Sequence, residues 1–173
     1  LDVSADMTRL TLDTIALCGF GQRLESFARP RLHPFVGAMV RVLDEAMARV
    51  ARPRWLTRLN WPARQRFKQD IAYLHGVVDD VIRTRREAPA EAKDLLGLML
   101  EGADPTSGEK LSDTNMRYQV ITFLIAGHET TSGLLSFALH FLVQHPQVLA
   151  RARAEVDQVL PPGAIPAYED LDR

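Results

Sequence analysis

The side chains best suited to chemistry stand together at Ala126-Gly127-His128-Glu129-Thr130-Thr131. An acid beside a hydroxyl can relay protons, so Glu129 and Thr130 are the candidate catalytic pair. Thr130 or Thr131 can also hydrogen-bond a backbone carbonyl one turn back, loosening a helix locally and admitting water. Zinc chemistry is excluded by spacing: the His-Glu pair suggests H-E-x-x-H, but the second histidine would fall at Ser132. His140 and His145 lie too far along to close a site with His128.

At 100° per residue Phe123, Ala126, Gly127, Thr130 and Leu134 share one helix face, small and flat in its middle. A mid-helix glycine costs about 1 kcal/mol relative to alanine. Close approach of something large and planar over Ala126 and Gly127 is a plausible compensation. Helix-helix packing through small residues, with Glu129 in a structural ion pair, accounts for the same letters.

The element that must position this face is a helix from just after Ser112 to just before Pro146, roughly 32 residues and about 48 Å long. Ser112 is its expected N-cap, and Asp113 suits its positive end. Its apolar run from Val120 to Gly127 is broken by His128 and Glu129, which excludes a membrane span.

Every other confident element is also helical. Helices are expected over Asp6 to Phe20, after which a loop holds Pro30 and Pro34, then over His33 to Val50, and along a stripe from Phe67 to Ile82. Others follow at Asp94 to Glu101 and at Pro146 to Leu160. Arg52 to Pro62 is expected to be a loop anchored by Trp55 and Trp61. Arg83, Arg85 and Arg86 are expected to cap a helix C-terminus. Met39, Leu43, Met47 and Val50 form one stripe that either packs in the core or walls an apolar pocket. Cys18 is expected in the core, and His75 is expected to be a satisfied histidine rather than a ligand.

With 173 residues, 46% hydrophobic content and a net charge of -1, the chain can form one domain and gives no global reason to expect nucleic acid as partner. Its one cysteine and the absence of a charged leader point to a reducing, cytoplasmic setting. Leu1 at the start, and an end at Arg173 just after a Pro/Gly turn, suggest a piece of a longer chain.

Ala126-Gly127-His128-Glu129-Thr130-Thr131 resembles the oxygen-activation motif on the long central I helix of cytochrome P-450 monooxygenases. His145-Pro146-Gln147-Val148-Leu149 with Glu155-Val156 resembles that family's following helix, and Ile165-Pro166-Ala167-Tyr168-Glu169-Asp170-Leu171 its next connection. Asp6 to Phe20 and His33 to Met47 resemble bacterial fatty-acid-hydroxylating members, whose haem domain is fused to a flavin reductase.

The resemblance implies an all-α fragment, residues 1–173, forming the helical portion of the fold without its β-rich N-terminal region. Ala126, Gly127, Thr130 and Thr131 would lie against the haem, Thr130 holding the water or hydroperoxide that receives protons and Glu129 helping to deliver them. Phe123, Ala126, Met39, Leu43 and Met47 would face an apolar substrate channel. The implied parent is a monooxygenase using O2 and an apolar substrate, expected to be a fatty acid, with NADPH electrons delivered through FMN and FAD of a reductase, fused or separate. The axial cysteine loop and the Glu-x-x-Arg helix of the family are expected beyond Arg173. No metal ligand is assigned within the chain, Cys18 included, so these residues alone are expected to be inactive. A non-catalytic helical ligand-binding or interaction module is the alternative.

Overall fold

The computed structural model describes residues 2–29, 32–88 and 94–172. Leu1, Pro30 and Arg173, which entered the sequence reading, lie outside the described residues. Seven α-helices follow in order among those described: α1 (Val3–Phe20), α2 (Pro34–Ala51), α3 (Arg54–Leu59), α4 (Trp61–Glu87), α5 (Leu95–Glu101), α6 (Asp113–Gln144) and α7 (Pro146–Val159). The all-helical expectation holds, and α6 has the expected 32 residues.

Local chemistry sets the helix ends. Asp2 Oδ1 accepts the Ala5 N–H at 3.1 Å to open α1, and Asp94 Oδ1 accepts the Gly97 N–H at 2.9 Å to open α5. At α6 the Ser112 hydroxyl accepts the Asn115 N–H at 3.3 Å, as expected. Helix α1 closes on Gly21 in the left-handed region, φ 65°, with the Gly21 and Gln22 N–H groups returning to Leu17 and Ala16.

Four sequence expectations are corrected. Arg54–Leu59 is helical, because Pro53 precedes that helix and Pro62 enters the first turn of α4, where a missing N–H costs nothing. Trp55 and Trp61 are largely exposed, so neither ring is a buried anchor. Cys18 is exposed too: it stands about 200° around α1 from the buried Ala16. Of the three arginines at the end of α4 only Arg85 makes the expected cap, at the C-terminus of α1; Arg83 pairs within α4 with Asp80 and Glu87, and Arg85 and Arg86 also join helices. Arg85 forks onto Asp94 with both contacts at 2.6 Å and donates to the Phe20 carbonyl at 3.1 Å, while Arg86 holds Asp113.

The chain divides into two compact units, Leu1–Ser132 and Gly133–Arg173. The first has a core drawn from five helices: Leu12, Ala16 and Phe20 of α1, Phe35, Val36 and Met39 of α2, Leu74, Val78 and Ile82 of α4, Leu96 of α5, and Met116, Val120 and Leu124 of α6. Helices α2 and α4 run antiparallel in contact, since Arg49 stacks over Phe67 at 3.8 Å while the earlier Arg41 meets the later Asp70. Arg117 of α6 forks onto Asp79 of α4 at 2.6 and 2.8 Å. Beside that pair His75 meets Tyr118 edge-on at 5.8 Å, and burial, then the Arg117 charge, lower its pKa.

In the second unit Phe137 and Phe141 stack at 6.5 Å, and Gln144 meets His140 at 3.0 Å. Pro146 then starts α7 in its first turn.

The buried side chains of α6 are Met116, Val120, Leu124, His128 and Ser132, a strict four-residue row. Such a row is the ridge by which helices interlock, and it drifts about 40° around the axis with each step. The drift turns His128 inward and leaves Phe123, Ala126 and Thr130 facing out.

Candidate active site on the central helix

The sequence-derived site residues divide between two sides of α6. On the outward side Ala126 and Thr130 are exposed and Phe123 is partly so. Alanine and threonine leave a shallow strip beside the phenylalanine ring. The Thr130 hydroxyl donates to the Ala126 carbonyl at 2.7 Å, the back-bond foreseen from its mid-helix position. Its donor thus occupied, Thr130 Oγ1 presents lone pairs outward. Thr131 is also exposed.

Glu129 takes the other side. It is exposed, and among the described residues no cation lies within ion-pair distance of its carboxylate. The structural ion pair that could have explained this acid is therefore not formed by the described residues. Glu129 borders a crevice of about 240 Å³ between α1, α2 and α6, together with Met39, Leu43, Asp44, His128 and Ser132. The structure thus brings Met39 and Leu43 to Glu129, and Phe123, Ala126 and Thr130 to one another. Met39 is also fully buried in the core, whereas Met47 is 71% exposed and borders neither group.

His128 is held rather than poised. Its ring is buried, with Nδ1–H donating to the Leu124 carbonyl at 2.7 Å. Its own carbonyl accepts the Thr11 hydroxyl of α1 at 3.0 Å. Thr11 is a site-shaping residue that sequence reasoning missed; a threonine inside the apolar stripe of α1 was the available signal. Asp44, on the rim of the crevice, was missed as well, and one charge on an amphipathic helix is no signal.

Gly127 is explained by a neighbour within the chain. A Cβ built there would meet Ile15 Cγ1 at 3.1 Å and Cδ1 at 3.2 Å, so the missing side chain lets α1 approach α6. Gly127→Val is expected to destabilise by about 1–3 kcal/mol through overpacking. Ile15→Ala in the same molecule should recover a large part of that loss. Urea midpoints of the two single variants and the double measure it, and additive costs would contradict the contact.

A sequence profile described as cytochrome P-450 matches residues 1–173. The chain is 51% identical over 172 residues to the bifunctional cytochrome P-450/NADPH–P-450 reductase 1 of Bacillus subtilis strain 168, covering 99% of this chain and 16% of that protein. It is 50% identical over 172 residues, with the same shares covered, to the bifunctional cytochrome P-450/NADPH–P-450 reductase of Bacillus cereus. Among solved structures the cytochrome P450DA heme domain superposes with a TM-score of 0.90 at 51% identity, covering 100% of this chain and 37% of that one. The chain therefore spans about a sixth of the length of those curated relatives. Agreement over its whole length in both sequence and backbone places this chain in the cytochrome P-450 family.

Proposed function

We propose that residues 1–173 are part of the haem domain of a haem-thiolate monooxygenase and supply its oxygen-side wall. The observation that carries this reading is the outward strip of α6, where small Ala126 and the Thr130 hydroxyl lie open beside Phe123. A flat, largely apolar group such as haem needs a wall of this kind, with few side chains standing proud of the backbone and one fixed hydroxyl. Ala126, Thr130 and Thr131 are the residues that would lie against it. Gly127 has its Cβ direction filled by Ile15, and its contribution is backbone alone. Cys18, on an exposed face of α1, is not assigned as iron ligand.

Bound there, haem would supply the iron chemistry that puts one oxygen atom of O2 into an unactivated C–H bond. The chain's own residues handle water and protons. Thr130 Oγ1 would accept a hydrogen bond from a water on the open face while its own O–H is held by the Ala126 carbonyl, so it orients a proton-donating water without itself gaining or losing a proton. Glu129, solvent-facing and without an ion-pair partner among the described residues, is the proton collector. Because it borders the crevice and not the strip, water must carry its proton around the helix to Thr130. Phe123, on the strip, is assigned to an apolar channel for the substrate; Met39 and Leu43 border the crevice on the other side of α6 and Met47 borders neither, so α2 is not assigned to that channel.

Relatives named as P-450/NADPH–P-450 reductase fusions support an electron route from NADPH through FMN and FAD, fused or separate. A fatty acid is the proposed substrate and the bacterial cytoplasm the proposed location; among the described residues no helix is long and apolar enough to cross a membrane. The test is turnover of the full-length protein carrying this chain, with lauric acid, NADPH and O2. Hydroxylated laurate matching the NADPH consumed is expected. Oxidation of other apolar compounds, with no product from any straight-chain acid, would remove the fatty-acid assignment and keep the monooxygenase; no oxygenated product at all would remove both.

A further inference from the structure

Helix α1 holds α6 at two successive residues, directly before the candidate catalytic pair. Ile15 of α1 fills the place of a Gly127 side chain, and the Thr11 hydroxyl, one turn earlier on α1, donates to the His128 carbonyl at 3.0 Å. Thr8 and Thr14 on the same helix donate to carbonyls one turn back, at 2.9 and 2.8 Å, which is the ordinary use of a helical threonine. Thr11 has that option too, with the Met7 carbonyl at 3.0 Å. Its hydroxyl would be satisfied without α6, so burial alone does not require the bond across the helices.

What the cross-helix bond adds is direction. The apolar buried row of α6 ends at Leu124, and its next two members, His128 and Ser132, are polar. The His128 ring gives its Nδ1–H to Leu124, within α6. Gly127 offers Ile15 no side chain to interlock with, so α6 can roll over that contact at little cost. A hydrogen bond, by contrast, weakens steeply off its line, and the stiff χ1 of threonine fixes where this one points. Thr11 is 6% exposed, and both partners lie inside the unit Leu1–Ser132. The contact is therefore independent of whatever covers the outer surface.

We propose, resting on the role given to Thr130 above, that Thr11 is a positioning residue for the Thr130 hydroxyl: by holding the His128 carbonyl it fixes the roll of α6, and with it the place at which Thr130 presents its oxygen to water. A roll of about 15° carries an atom about 4 Å from the helix axis through about 1 Å. Misplacement by about 1 Å at a positioning group can cost up to about 10²-fold. Once α6 rolls, Thr130 keeps its bond to the Ala126 carbonyl, which turns with it, so the local geometry is retained while the aim is lost. Thr11 touches no reacting atom and acts only through α6.

The experiment measures product formed per O2 consumed by the full-length, haem-loaded protein with NADPH and laurate, or with the apolar compound it oxidises in place of laurate. The variants are Thr11→Val, Thr11→Ser, Thr130→Ala, and Thr11→Val combined with Thr130→Ala. The ratio is read from folded, working molecules, so a loss of stability alone does not move it. Thr11→Val keeps the shape and removes the donor; it should lower the ratio by about threefold, less than Thr130→Ala, because Ile15 still holds α6. Thr11→Ser restores the donor and should return most of the coupling. In the Thr130→Ala background Thr11→Val should add nothing, since the group it aims is gone. A parental ratio in Thr11→Val, with Thr130→Ala deficient, overturns the role of Thr11 and leaves that of Thr130 standing. A parental ratio in Thr130→Ala overturns both. A deficit as deep in Thr11→Ser as in Thr11→Val shows that the hydroxyl is not what matters, and losses that multiply in the double variant show that the route is not through Thr130; either result overturns the assignment.

Discussion

Asp94→Ala is expected to cost about 3–5 kcal/mol, the largest stability loss predicted for a single side chain of this protein. The Arg85 and Asp94 side chains are only 10% and 8% exposed, and the two guanidinium contacts at 2.6 Å are the carboxylate's main compensation for leaving water. Removing the carboxylate leaves a nearly buried guanidinium with the Phe20 carbonyl as its remaining partner. It also uncaps α5, whose Gly97 N–H rests on Asp94. Urea unfolding of the full-length protein, followed by the helical signal of the haem domain, measures the loss. A midpoint close to the parental one would show that the pair is not closed in solution. Arg85→Met with Asp94→Leu removes both charges and should be much milder than Asp94→Ala, because the penalty comes from the orphaned ion.

The same pair sets a pH dependence. The Arg85 hydrogen bonds, above all, hold the Asp94 pKa below the ordinary aspartate range. A carboxylate depressed in the folded state binds protons more readily when unfolded, so its contribution is complete above the unfolded pKa, near 4. It is lost as pH falls through the lower folded value. The parental protein should therefore lose stability below about pH 4, and the Asp94→Ala variant should show a shallower acid slope.

How much of this was legible in the sequence follows from the range of the forces involved. Helices α1, α2, α4, α5, α6 and α7 come from local periodicity and end signals, and Asp94, Ser112 and the long apolar run sufficed to place α5 and α6. Helix α3 was not legible, because Pro53 and Pro62 signal breaks as readily as they signal helix starts. The arginines after Ile82 looked like a local cap. The partners of Arg85 and Arg86, Asp94 and Asp113, lie across turns, and ion pairs distant in sequence leave no periodic trace. At the candidate site the local part was visible: the Thr130 back-bond spans one turn. The Gly127–Ile15 and Thr11–His128 contacts join α1 to α6 across more than a hundred residues, and only tertiary packing selects them. The i,i+4 drift of the buried row explains the division of the site. A helical wheel centred on Phe123 groups Thr130 with Gly127, but α6 is covered obliquely, so Gly127 meets α1 while Thr130 stays open.

That openness carries the other large effect. Thr130→Ala in the full-length protein is expected to lower product formed per O2 consumed by about tenfold, less than the roughly 10²–10⁴-fold of a group that itself transfers a proton, because the hydroxyl orients water rather than giving up its proton. Stability should barely change, since the hydroxyl is exposed and its partner, the Ala126 carbonyl, belongs to a helix that stays intact. Thr130→Ser keeps a hydroxyl within reach of the same carbonyl and should retain most of the coupling, which separates loss of the oxygen atom from loss of the methyl group. Glu129→Gln removes a collector that stands off the strip, and water on the open face can substitute for it in part, so its effect on coupling should be smaller than that of Thr130→Ala. Simultaneous measurement of O2 uptake, NADPH oxidation and product decides among these outcomes. Coupling at the parental level in Thr130→Ala would remove the assigned role. A deficit equally deep in Thr130→Ser would shift the role from the hydroxyl to the shape of the strip.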